Sequence, residues 1–133
     1  MAATALLCGC HFSEETPDVK AAKALAQRVM GASARNIEFY QTAESSDVFT
    51  LSSEGRRVRI GGNNANSMAV GLNHYLKYYC HVNVGWFSWD KVTMPSKLPE
   101  VPEAVTIQAR VPDRFFLNYC TYGYTMPWWK WAV

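Results

Sequence analysis

The stretch Arg59-Ile60-Gly61-Gly62-Asn63-Asn64-Ala65-Asn66-Ser67-Met68-Ala69-Val70-Gly71-Leu72-Asn73-His74-Tyr75-Leu76-Lys77-Tyr78-Tyr79 decides how this chain folds. It reads as the end of a strand, a glycine–asparagine turn, and one long helix. Met68, Leu72, Tyr75 or Leu76, and Tyr79 recur at helical spacing and make one apolar stripe. Gly71 stands inside that stripe, where it costs about 1 kcal/mol relative to Ala. Close approach of the helix backbone to a flat surface compensates such a glycine, and a sheet is the natural candidate. Asn63, Asn64 and Asn66 are each able to cap the helix by accepting from a first-turn amide.

Toward the amino terminus the signals support a sheet under this helix. Val48 to Ser52 and Arg57 to Ile60 are β-type runs separated by a turn containing Glu54-Gly55, where glycine takes positive φ. Val58 and Ile60 point one way and Arg57 and Arg59 the other, so one face is covered and one is wet. Ile37-Glu38-Phe39-Tyr40 alternates in the same manner and makes a third strand. Before it, Thr16-Pro17-Asp18 is a helix start, with a hydroxyl N-cap, proline at N1 and an acid in the first turn. Val19, Ala22, Leu25, Ala26 and Val29 line one face of that helix, and Gly31 closes it. The expected class is α+β: a small, mostly antiparallel sheet covered by two helices.

A strand, two glycines and a helix also suggest a phosphate cradle. The dinucleotide fingerprint needs three glycines in G-x-G-x-x-G order, and Gly61-Gly62-Asn63 does not provide it. The strand before it belongs to a hairpin and not to a βαβ unit. Nucleotide binding is therefore set aside.

Beyond the helix, His81 to Trp89 reads as a further strand with an aromatic end. Pro95, Pro99 and Pro102 mark an extended connector. Ala104 to Ala109 is a short alternating strand that returns to the sheet edge, and Val111-Pro112-Asp113 punctuates a boundary. The expected organisation is a terminus over residues 1–15, an α/β domain over 16–112, and a second unit beginning at 113.

Composition bounds the function. The chain has 133 residues, 49% hydrophobic and 18% charged, as a folded domain requires. Its net charge is +2. The one dense basic group, Arg56, Arg57 and Arg59, reads as a solvated hairpin face, which argues against nucleic acid as a partner. No apolar run is long enough to span a bilayer. Leu7-Cys8-Gly9-Cys10 resembles a lipobox with Cys10 as the acylated residue, but no basic region precedes it. Cys8, Cys10, Cys80 and Cys120, even with His11 and His81, lack the spacing of a zinc site. Neither His74 nor His81 has a carboxylate or second histidine at a telling interval. No metal or organic cofactor is implied.

Arg114-Phe115-Phe116-Leu117-Asn118-Tyr119-Cys120 is a near-continuous apolar run, the pattern of a strand buried on both faces. A loop of aromatic and hydroxyl residues follows, then Trp128-Trp129-Lys130-Trp131 as a helix start. Such a strand asks for neighbours on both sides, so the chain reads as cut off at Val133. Gly71-Leu72-Asn73-His74-Tyr75-Leu76-Lys77, Cys80-His81-Val82, and Asn118-Tyr119-Cys120-Thr121-Tyr122-Gly123-Tyr124-Thr125 through Trp131 together resemble the α-N-acetylglucosaminidases of glycoside hydrolase family 89. The resemblance covers the chain from about Val19 onward.

The resemblance implies an amino-terminal α/β domain ahead of a (β/α)8 catalytic barrel, with residues 113–133 as the first barrel strand and its loop. It implies that Asn118 and Cys120 line the sugar pocket, since loops and strand ends on that barrel face build active sites. It implies a retaining glycosidase acting on terminal α-linked N-acetylglucosamine of glycans, outside the cytoplasm, with both catalytic carboxylates beyond Val133. The partners it implies are a glycan substrate and the remaining domains of the same polypeptide. Lys130 stands where some relatives carry an acid. The alternative is a stand-alone carbohydrate-binding or protein-interaction domain, with the aromatic tail as its platform.

Overall fold

The computed structural model describes residues 15–85 and 92–113. Two helices, α1 (Pro17–Met30) and α2 (Ala65–Tyr78), lie against a sheet of β1 (Ile37–Gln41), β2 (Val48–Glu54), β3 (Arg57–Gly62) and β4 (Val105–Gln108). A 3-10 turn, Gly31–Asn36, joins α1 to β1.

The helix starts form where the sequence places them. The Thr16 hydroxyl accepts from the Val19 amide at 3.3 Å, and the Asn64 side chain accepts from the Ser67 amide at 2.8 Å. Each such cap is worth about 1 kcal/mol. Gly31 ends α1 with φ 58. Gly55, with φ 59, is the first central residue of the two-residue turn between β2 and β3 and supplies the positive φ that such hairpins require.

The strand order is β1-β3-β2-β4. β3 and β2 form the expected antiparallel hairpin, and β4 adds antiparallel to the far side of β2. β1, however, pairs with β3 in parallel, Ile37 opposite Val58. The sheet is therefore mixed, and the expected antiparallel character holds for β2, β3 and β4 but not for β1. β1 does run opposite to β2, but β3 lies between them. Residues 42–47 carry the chain across the end of β3, where the Thr42 amide donates to the Gly62 carbonyl at 3.0 Å.

Two further expectations are corrected. Gly61 and Gly62 belong to β3 and not to a turn. Residues 81–85 form no strand, because α2 ends by curling back on itself. The Val82 amide donates to the Leu76 carbonyl at 2.8 Å, and His81 adopts φ 54, so neither is free to extend. The rest of that expected strand, 86–89, lies outside the described residues. So do Cys10 and the whole run from 114 to 133, with its expected barrel strand.

The core lies between the helices and one sheet face, and Leu51, Ile60, Met68, Tyr75 and Leu76 fill its centre. The proline-rich connector closes its open end. Val101 is buried there with its amide donating to Ser53 Oγ at 2.8 Å, and the Tyr75 hydroxyl donates to the Pro99 carbonyl at 2.7 Å. Tyr75 is thus a core residue whose one polar atom is satisfied by the connector.

Candidate functional site

Among the described residues, three surfaces bring polar or aromatic side chains into contact with one another. The first is the entry to α2. Asn63 Oδ1 accepts from the Val48 amide at 3.3 Å and the Ser67 hydroxyl at 2.7 Å, which ties β2 to the helix start. Asn64 Nδ2 donates to Asp47 Oδ1 at 2.7 Å while its Oδ1 caps the helix. Asp18, in the first turn of α1, accepts from the Ala65 amide at 3.1 Å. The Ala65 and Ser67 amides at this helix terminus are therefore engaged by the protein's own side chains. A Cβ on Gly62 would stand 2.8 Å from the Met68 amide nitrogen, so no cradle for a phosphate exists at this turn. The turn is structural.

The second surface is the outer face of the sheet. The Tyr40 and Thr50 hydroxyls hydrogen-bond at 2.6 Å, and a Cβ on Gly61 would collide with both side chains, the Tyr40 Cζ standing 2.6 Å away. The Arg59 guanidinium stacks 5.0 Å from the Tyr40 ring and pairs with Glu38 at 3.4 Å and Glu54 at 3.2 Å. These pairs are partly solvated and contribute little individually. They bind the three strands into one charged, self-neutralised face.

The third surface runs along the flank of α2 that faces β4. The His74 ring lies 5.3 Å from Phe49 and 4.5 Å from Tyr78, tilted against both. Partial burial lowers its pKa below the usual histidine value. His81, by contrast, sits exposed past the helix end. Cys80 is buried, and burial raises the pKa of its thiol, so it behaves as a small apolar filler beside Tyr75.

None of these surfaces assembles a nucleophile with a base. Among the described residues no cluster of three metal-ligating side chains occurs. Asp18 and Asp47 hold the α2 entry, Glu38 and Glu54 hold Arg59, Glu15 pairs with Lys23, and Glu100 pairs with Lys97. Asn118 and Cys120, the residues expected in a sugar pocket, lie outside the described residues, as does Asp90. Local sequence offers Asn63, Asn64 and Asn66 as caps, of which Asn64 takes the role, but it does not reveal Asp18 and Asp47 as partners of the α2 entry. Those contacts join positions 17 and 47 residues apart, with no local signal.

The fold defines a helix-on-sheet domain whose polar clusters serve its own architecture. Residues 20–100 match the family described as the alpha-N-acetylglucosaminidase (NAGLU) N-terminal domain. The chain is 31% identical over 132 residues to human alpha-N-acetylglucosaminidase, a match that takes in 93% of this chain and 18% of the human protein. A family 89 glycoside hydrolase from Clostridium perfringens, solved with 2-acetamido-1,2-dideoxynojirmycin, superposes with a TM-score of 0.75 and 37% identity. That superposition covers 86% of this chain and 13% of the bacterial one. A further structure from that organism, in complex with its substrate GlcNAc-alpha-1,4-galactose, superposes with a TM-score of 0.72. This chain belongs to the alpha-N-acetylglucosaminidase N-terminal domain family. It spans less than a fifth of the length of these relatives.

Proposed function

We propose that this chain is the amino-terminal portion of a retaining glycosidase that hydrolyses terminal α-linked N-acetylglucosamine from glycans outside the cytoplasm. The observation that carries the reading is the extent of the match to the human enzyme, 93% of this chain, which necessarily runs past residue 113. Residues 16–112 then form the α/β domain, and residues 113–133 begin the catalytic barrel.

Retaining hydrolysis uses two carboxyl groups about 5–5.5 Å apart, one protonating the leaving oxygen and one attacking the anomeric carbon. Asp18 and Asp47 serve the α2 entry, Glu38 and Glu54 pair with Arg59, and Glu15 and Glu100 pair with lysines, which supports a catalytic pair in polypeptide after this domain. The contribution of the present chain is a platform for the barrel and, at Asn118 and Cys120, part of the pocket wall. Asn118 offers an amide to sugar hydroxyls, and Cys120 a small apolar contact.

The test is release of nitrophenol from its α-N-acetylglucosaminide by a full-length enzyme carrying this domain. Asn118→Ala should lower kcat/KM by the worth of one hydrogen bond to an uncharged partner, about 0.5–1.5 kcal/mol. An unchanged specificity constant removes Asn118 from the site. A full-length protein inert toward this substrate overturns the reading.

A further inference from the structure

The 3-10 turn, the β2–β3 hairpin turn and the proline-rich connector frame a recess of about 510 Å3. That volume falls in the range of small-molecule pockets, roughly 300–1,000 Å3. Ser33 and Asn36 line it from the 3-10 turn, and Arg56 from the hairpin turn. The connector contributes Ser96 and Lys97, while Val58 and Leu98 add apolar surface. The core holds these walls in place. The Tyr75 hydroxyl fixes the Pro99 carbonyl at 2.7 Å, and Ser53 Oγ fixes the Val101 amide at 2.8 Å. Pro95 and Pro99 restrict the connector backbone further, so the recess is formed before any ligand arrives.

Its polar groups are uncommitted. Elsewhere Asn63, Asn64, Glu38, Glu54 and Arg59 are engaged by the protein itself. The side chains of Ser33, Asn36, Arg56 and Ser96, by contrast, make no hydrogen bond or ion pair with the described residues. The Ser53 hydroxyl, which accepts from Val101, still has its proton to donate. Lys97 stands 3.9 Å from Glu100 in a largely exposed pair, a weak arrangement. Arg56 is thus the unpaired full charge at the recess.

We propose that this recess binds a saccharide that carries one anionic group. The planar fork of Arg56 matches a carboxylate, sulfate or phosphate. The serine hydroxyls and the Asn36 amide both donate and accept, as sugar hydroxyls require. Val58 and Leu98 suit the C–H face of a sugar ring. A bare inorganic ion would leave the hydroxyl wall and most of the volume unused. No aromatic ring lines the recess to stack a base, which disfavours a nucleotide. The inference rests on these groups and stands whether or not the parent protein is a glycosidase.

Titration of the full chain with glucose 6-phosphate and with glucuronate, followed by amide chemical shifts, tests it. Either ligand should move the Ser33, Gly55, Arg56 and Ser96 amides, with a dissociation constant on the order of millimolar. The tighter of the two identifies the preferred anionic group. Arg56→Ala should weaken binding about tenfold, whereas Arg57→Ala, the same loss of charge outside the recess, should leave it unchanged. If Arg56→Ala lowers the unfolding midpoint, Arg56→Gln replaces it and should show the same loss. Ser33→Ala with Ser96→Ala should weaken both sugar ligands several-fold and leave the weaker binding of inorganic phosphate as it is. Equal binding by glucose, by inorganic phosphate alone, or by the folded Arg56 variants overturns the proposal. Shifts confined to residues outside the recess overturn it as well.

Discussion

At Gly71 the backbone of α2 lies so near the sheet that a Cβ would stand 2.8 Å from Ile60 Cγ2 and 3.2 Å from Phe49 Cβ. Both neighbours are buried core side chains. Gly71→Leu should therefore overpack the interface and destabilise the domain by about 1–3 kcal/mol, read as a lowered urea midpoint. This glycine was legible in the sequence, because a glycine isolated in an apolar helical stripe points to a close backbone approach. Gly61 and Gly62 were not: the pair reads as a turn, whereas each is needed for what crowds its side of β3. His74 gives a second expectation at this scale. Its pKa is lowered on folding, so the unfolded chain binds the proton more readily. Stability is then fully present above the unfolded value of about 6.5 and declines as pH falls through it toward the folded value. His74→Gln should flatten that decline in thermal unfolding followed between neutral and mildly acidic pH.

Among the elements, those fixed by local chemistry were the ones the sequence revealed. α1 announces itself by Thr16-Pro17 and Gly31, the β2–β3 hairpin by Gly55, and α2 by Asn64 and its stripe. What decides the place of β1 is not local. Alternation tells which face of a strand is buried, but it does not say which edge of the hairpin that strand will join. Here the connection 42–47 spans β3, and the pairing that results is parallel. The end of α2 is a related case. Val82 and Val84 have strand-like character, yet the helix's last carbonyls capture the Val82 amide first. Asn64→Ala tests how much the α2 entry matters. It removes the cap to Ser67 and a hydrogen bond to Asp47, and should cost about 1–2 kcal/mol in chemical unfolding. Asn64→Asp keeps the cap but sets two carboxylates together, and should recover part of the loss at low pH.

For the molecule as a whole, sequence and comparison agree on the family while the described residues carry no catalytic pair. The chain by itself should release no nitrophenol from the α-N-acetylglucosaminide, and turnover by the purified chain would overturn the assignment of the carboxylates to later polypeptide. The candidate sugar-pocket residues were legible through resemblance alone. A strand end carries no spacing that separates a buried amide from a ligand-binding one.

The sheet order has a consequence for how the protein is made. Its last strand, β4, closes on β2 at Gln108, and every partner of α1 and α2 in the core precedes that point. More than four-fifths of the human relative lies outside the matched portion. Because synthesis is vectorial, at about 5–20 residues per second, the nascent domain has every core element seconds after its own first residues are made. In a polypeptide as long as that relative it can fold as a finished template while most of the chain is still untranslated. The first polypeptide to emerge behind it then meets a surface already in place.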